Sequence, residues 1–328
     1  MKPRTTATLL SALVLASVGA APQAVAATCQ YNRQDLPVPA GSGHVSTMGG
    51  STNNSRIAGL VMKGQFGRGA YWVNSSLREM PPSPLSTWYH VIPTGINNTS
   101  VVAGYEQRDG ERTKKAFRYE NGAYQYLETD PGQSSTAYAI NDTGDVIGLQ
   151  FSGTSEYYGD VYLWPRNGPR KLVSSGKPIG ITADRKVVVQ RVVTTDVIDT
   201  NTGSVVEIPG RPSWVVLDND RVLISEYVDQ VGWEMSEYDL AGTKVATHPG
   251  GAKPFGRNGS GTVFGGHPGR TGANVPALWR KTGRTDVVAD FLPSDSSYSD
   301  VTDAATLIGT YSGADSVARP ARWLWICS

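Results

Sequence analysis

The chain is short of charge. Asp, Glu, Lys and Arg make up 18% of its 328 residues, against about 25% in an ordinary globular protein. The 30 basic and 29 acidic residues leave a formal net charge of +1. Such a balance gives no basic footprint for a nucleic-acid backbone, and it does not describe a charge-rich disordered chain. Cysteine occurs twice, histidine four times and methionine five times. Paired Cys-x-x-Cys and His-Glu-x-x-His are absent, which removes the common zinc patterns. No Gly-x-Ser-x-Gly elbow is present, and no P-loop or Gly-x-Gly-x-x-Gly sits between a strand and a helix. After the N-terminus no apolar run reaches the 18 or so residues of a membrane span. No cofactor motif and no metal-ligand set is therefore expected.

What the chain has is turns and rings: 37 Gly, 20 Pro, 15 Tyr and 8 Trp. That mixture favours short strands joined by turns over long helices. The N-terminus reads as an export signal. Lys2 and Arg4 precede an apolar run from Leu9 to Ala20, and Ala24-Val25-Ala26 gives a small-x-small cleavage site. Residues 1–26 are thus expected to be a signal peptide, leaving 27–328 as one domain. Their removal would leave 28 basic against 29 acidic residues. The expected location is extracellular, in an oxidising space.

Self-similarity organises the rest. Gly95-Ile96-Asn97-Asn98-Thr99-Ser100-Val101-Val102-Ala103-Gly104 matches Ala139-Ile140-Asn141-Asp142-Thr143-Gly144-Asp145-Val146-Ile147-Gly148. Weaker copies begin at Thr52, Ile181, Leu217, Arg257 and Val301. The aligned last residues are Gly59, Gly104, Gly148, Val189, Ser225, Gly265 and Gly309, a period of about 42 residues. Each copy continues into an apolar strand ending on an aromatic, as at Trp72, Tyr119, Trp164, Trp279 and Trp325. Glu237-Tyr238 and Val197-Ile198 hold that place in the two divergent copies. A turn glycine and one more short strand follow, so each unit carries four strands. A four-stranded unit of this length is the signature of a propeller blade. The expected fold is all-β, a seven-bladed β-propeller; a large β-sandwich would give no reason for a constant period.

The seventh copy runs out before its outer strand. Residues 29–37 resemble the outer strands and precede the first copy at the usual distance. They are expected to pair with the last blade and close the ring, covering an edge that invites aggregation. Cys29 and Cys327 then become neighbours across that pair, and a disulfide would replace the missing hairpin.

The repeat resembles the extracellular HAF repeat family of secreted bacterial proteins. The match is best from Ala116-Phe117-Arg118-Tyr119 through Ser135-Thr136-Ala137 and Ile140-Asn141 to Gly148. The resemblance implies a secreted β-propeller and supplies no catalytic residues.

Candidate chemistry is sparse. The acidic turns around Asp142 and Asp218 lack an EF-hand spacing, and Asn, Asp and Gly are what such turns demand. His44, His90, His248 and His267 lie near expected junctions between blades. Aromatics that recur at one strand position are expected to pack. Those outside the repeat, Trp88, Tyr89 and His90 after a Pro-rich stretch, Trp214 and Trp233, are the candidate binding residues. Loops on a rigid scaffold commonly carry binding groups. The expected function is a non-enzymatic binding or scaffold module for an extracellular protein or surface glycan. One concrete form is a lectin-like or adaptor subunit of a secreted toxin particle. The alternative is a propeller enzyme, a lyase or glycan-active hydrolase, with its site at the channel mouth.

Overall fold

The structure is a computed structural model that describes residues 29–51, 53, 55–85, 90–108, 113–153, 158–218, 220–268, 274–279, 285–287 and 296–327. The expected signal peptide lies outside them. Every strand pairing is antiparallel, and no helix occurs among the described residues.

The strands form five sheets of four and one of seven. Sheet I comprises Val45–Gly50, Arg56–Lys63, Phe66–Val73 and Ser76–Glu79. Sheet II comprises His90–Ile96, Val102–Gln107, Lys114–Glu120 and Ala123–Tyr126. The seven-stranded sheet divides along the strand Lys171–Ile181. Residues 171–176 pair back onto Gly159–Trp164, whereas residues 177–181 pair forward onto Lys186–Gln190. Gly176 marks the division with φ 142, a conformation that side chains rarely adopt. A Cβ there would lie 2.6 Å from Val189. The halves, III and IV, begin at Ser134 and Lys177. Sheet V comprises Trp214–Asp218, Arg221–Val228, Gly232–Asp239 and Lys244–Pro249. Sheet VI comprises Lys253–Arg257, Val263–Pro268, Asn274–Trp279 and Thr285–Val287. Sheet VII takes Ser296–Val301, Leu307–Ser312 and Ala318–Cys327 from the C-terminal part, and Cys29–Asp35 from the N-terminal part.

That last pairing places Cys29 opposite Cys327 and Asp35 opposite Ala321. The strand is two residues shorter than 29–37. Just beyond it, the Trp72 indole donates to the Pro37 carbonyl at 2.8 Å. The same bond recurs elsewhere: Trp164 donates to Glu128 at 2.8 Å and Trp279 to Pro249 at 3.3 Å. In each case a third-strand Trp reaches the chain at or just beyond the outer strand of the preceding sheet. The ring buries its apolar area while its N–H keeps a partner, as a buried indole requires.

The cross-strand register corrects one alignment. The partners of Ile57, Val146 and Val263 are Trp72, Trp164 and Trp279. The equivalent partner of Leu307 is Trp323, not Trp325, which stands opposite Tyr31. Trp323 is fully buried among Tyr31, Phe264, Tyr298 and Leu307.

The core consists of clusters between consecutive sheets. Ala103 and Ala116 of II meet Val146 and Trp164 of III. Leu223 and Met235 of V meet Val263 and Trp279 of VI. Ile308 of VII joins Val45 and Trp72 of I. The repeat glycine makes this contact and the first-strand bend possible. A Cβ on Gly148 would sit 1.9 Å from the Thr136 carbonyl oxygen, and one on Gly104 would sit 2.3 Å from that of Ile92. The opposing first strands are bulged at this level in sheets I, II, III, IV, VI and VII. A bulge bends its strand and brings its backbone closer.

The repeat asparagine has two jobs. Asn141 Oδ1 accepts from Asp145 N at 2.8 Å and from Thr143 Oγ1 at 2.7 Å, which closes its own turn. Its Nδ2 donates to the Thr182 carbonyl of half IV at 2.9 Å. Asn97 repeats this one sheet earlier, donating to the Asn141 carbonyl at 3.0 Å. The residue is a turn former, as expected, and also a link between sheets.

Candidate functional site

The first strands of I, II, III, IV, V, VI and VII line one cavity of 1080 Å³. Each unit passes through its strands in the same order, so the N-terminal ends of these first strands gather at one end. Antiparallel pairing puts the hairpin between second and third strands at that same end.

Two lysines and a tryptophan stand there. Lys177 pairs with Gln190 and Lys253 with Gly266, so they hold equivalent places in IV and VI. Trp214 opens the first strand of V between them. It is 45% exposed, and Lys253 Nζ lies 4.8 Å from its ring centroid. Burial alone pushes the Lys177 ammonium below its usual range, because a low-dielectric wall disfavours charge. Neither lysine has a carboxylate partner among the described residues.

Acids gather at the opposite end. Asp300 Oδ2 accepts from Gly50 N at 2.9 Å, bridging VII to I. Asp218 of V accepts from the backbone N of Arg257 in VI. Burial is the largest influence on both and pushes each carboxyl up to about 7. The amide donors oppose the rise, and for Asp218 the neighbouring Asp300 and Asp303 add to it. Asp142 is tied to Asn98 at 2.8 Å, and Asp184 to Lys186 at 2.8 Å. Among the described residues, no group of three or more His, Cys, Asp or Glu could hold a metal ion.

The aromatic candidates separate. Trp88 and Tyr89 lie outside the described residues. His90 is half-buried, and its Nδ1 accepts from Gly67 N at 3.1 Å, which makes it a link between sheets I and II. Two units separate it from Trp214. Trp233 packs edge-to-face on Tyr227 with centroids 5.8 Å apart, in the hairpin beside Trp214. Tyr227 is 62% exposed, and Val231 between these rings is also exposed. Val192 and Val193 are exposed in the matching hairpin of half IV. An apolar rim thus concentrates on IV and V, the copies that depart most from the repeat.

The histidines do not form a site. His248 and His267 belong to strands. His248 is buried against Trp279, with Nε2 3.5 Å from Glu237 Oε2. His44 accepts from Ala318 N at 3.1 Å. None of the four lines the cavity. Sequence reasoning missed Lys177, Lys253 and Asp300, and it read Asp218 only as part of an acidic turn. The one available signal was a shared Lys-Pro-apolar-Gly, at Lys177-Pro178-Ile179-Gly180 and Lys253-Pro254-Phe255-Gly256.

No family model matches the chain, and no curated protein matches it either. Solved structures do. Prolyl oligopeptidase B from Galerina marginata matches with a TM-score of 0.54 and 13% identity, over 86% of this chain and 46% of that one. The chain therefore spans about half the length of that peptidase. Oligogalacturonate lyase from Vibrio parahaemolyticus matches at 0.52 and 8% identity, over 90% and 98% of the two chains. A chain of the mitotic checkpoint complex matches at 0.55 and 12% identity, over 99% of each. Identities this low speak to fold alone. The fold is all-β and β-propeller-like.

Proposed function

We propose that the chain is a secreted, non-enzymatic, seven-bladed β-propeller that binds a partner protein or surface glycan at one mouth of its channel. The ring reading rests on the chain of inter-sheet clusters from I to VII and back to I, and on the pairing of Cys29–Asp35 with the last strand. A disulfide between Cys29 and Cys327 would hold that pair shut, as befits an exported chain. A lectin-like or adaptor subunit of a secreted particle is one form such a module takes.

The observation that carries the binding reading is the exposed Trp214 at the channel mouth, flanked by Tyr227 and Trp233. A large ring left in water at a concave rim is where recognition energy concentrates. The test is a glycan array beside a pull-down from culture supernatant, with wild type and Trp214→Ala. Wild type should retain a defined ligand, and Trp214→Ala should lose at least about tenfold in affinity, or 1.4 kcal/mol. Equal retention by both would refute the site. A second reading has one observation behind it: Asp218 and Asp300 titrate near neutrality inside the channel, as general acids and bases do. Turnover on a panel of polysaccharides, abolished by Asp218→Asn, would establish the enzyme instead.

A further inference from the structure

Cations in folded proteins are ordinarily paired or solvated, and a half-buried lysine without a partner is costly. Lys177 is such a lysine, and Lys253 is held against an indole face rather than a carboxylate. Both line the cavity with Trp214 between them in sheet order, at its N-terminal end. Asp218, Asp300 and Asp303 line the other end. The lining is therefore uneven: two lysines stand at one mouth, and at the far end the carboxyls outnumber the one lysine, Lys186.

We infer that this mouth takes an acidic oligosaccharide, with a uronate carboxylate between Lys177 and Lys253 and a sugar face on Trp214. The inference rests on the binding reading above and gives it a ligand class. A sugar ring presents a flat row of C–H groups that an indole can cover, and a uronate adds a carboxylate fixed to that ring. A lysine–carboxylate contact is charge-assisted and gains strength where water is partly excluded. An acidic peptide offers carboxylates too, but on flexible stems with no such face for Trp214. The 1080 Å³ cavity spans both ends of the channel, and only the part beside Trp214 and the two lysines would hold the ligand.

The test is calorimetric titration of the full exported chain with three probes: tetramannuronate, the neutral mannotetraose of equal length, and poly-L-glutamate. Tetramannuronate should bind, weaken on raising salt, and outcompete mannotetraose by about tenfold or more. Lys177→Gln and Lys253→Gln should each weaken it about tenfold, while Lys253→Arg keeps most of the affinity. None of the three should fall below the wild-type melting temperature, which separates lost binding from lost fold. Three results would overturn the inference: equal binding of the two tetrasaccharides, lysine variants that bind as wild type does, or poly-L-glutamate as the preferred probe. If mannotetraose binds and only Trp214→Ala removes it, the mouth stands as a binding site and the anionic preference falls. If the array and the pull-down also find nothing, the binding reading itself falls.

Discussion

Replacing Gly148 with alanine puts one methyl group where the fold has no space for it. The added Cβ would lie 1.9 Å from the Thr136 carbonyl oxygen and 2.9 Å from the Ala137 Cα. Both are backbone atoms, so no rotamer change relieves the contact. Relief requires the first and second strands of III to part, at a level where the first strand is already bulged. Overpacking of a tight core costs about 1–3 kcal/mol, and a backbone clash belongs at or above the top of that range. Losing glycine's freedom in the unfolded chain returns about 0.4–1 kcal/mol. A net loss of about 2 kcal/mol or more follows, or roughly 3 °C or more in melting temperature for a chain this size. Gly43→Ala is the control, since its Cβ would meet nothing nearer than the Met62 carbonyl at 3.7 Å. Urea unfolding of both variants beside wild type measures the difference. Gly148→Ala as stable as Gly43→Ala would refute the packing role given to the repeat glycine.

Two further outcomes concern buried charge. Glu237 lies between Arg221 and Arg257, whose Nε atoms are each 3.3 Å from Oε1 but not aligned as hydrogen bonds. Burial pushes the Glu237 carboxyl up, but His248, Arg257 and Arg221 outweigh it and hold the group below its usual range. Glu237→Gln would leave those guanidiniums with Asp220 as their remaining carboxylate, so chemical denaturation should show a loss of about 1–3 kcal/mol. Asp300 behaves in the opposite sense. Its folded pKa of about 7 exceeds the reference 3.8, so the folded state holds the proton more tightly. The stability this contributes is full below about pH 4 and declines as pH rises to about 7. Asp300→Asn removes that titration, so its stability relative to wild type should rise between those limits. A difference that stays constant with pH would contradict the assignment.

Much of the fold was legible because a propeller repeats its physics. Gly59, Gly104, Gly148, Gly265 and Gly309 announced a backbone approach that a Cβ would block, and the aromatics two residues past their partners announced the core. The strand at residues 29–35 was legible by subtraction, since the last copy lacked an outer strand. The Trp323 register was not legible: Arg322-Trp323-Leu324-Trp325 holds two tryptophans at alternate positions, and only pairing with Leu307 distinguishes them. The candidate site was half legible. Trp214 and Trp233 stood out as aromatics outside the repeat, and they do share one end of sheet V. Lys177 and Lys253 did not stand out, because their meaning lies in two strands about 75 residues apart reaching the same mouth. His90 stood out as a candidate binding residue beside Trp88 and Tyr89, yet the Gly67 amide claims its ring nitrogen.

The central claim is that the first and last strands complete one sheet and shut a single ring. The register sets Cys29 directly opposite Cys327, and closing a loop of about 300 residues adds about 5–6 kcal/mol in the chain-entropy model. Peptide mapping of the purified protein by mass spectrometry without reduction tests this most directly. The account predicts one cross-linked pair containing Cys29 and Cys327 within a single chain. Two free thiols, or a link between separate chains, would contradict it.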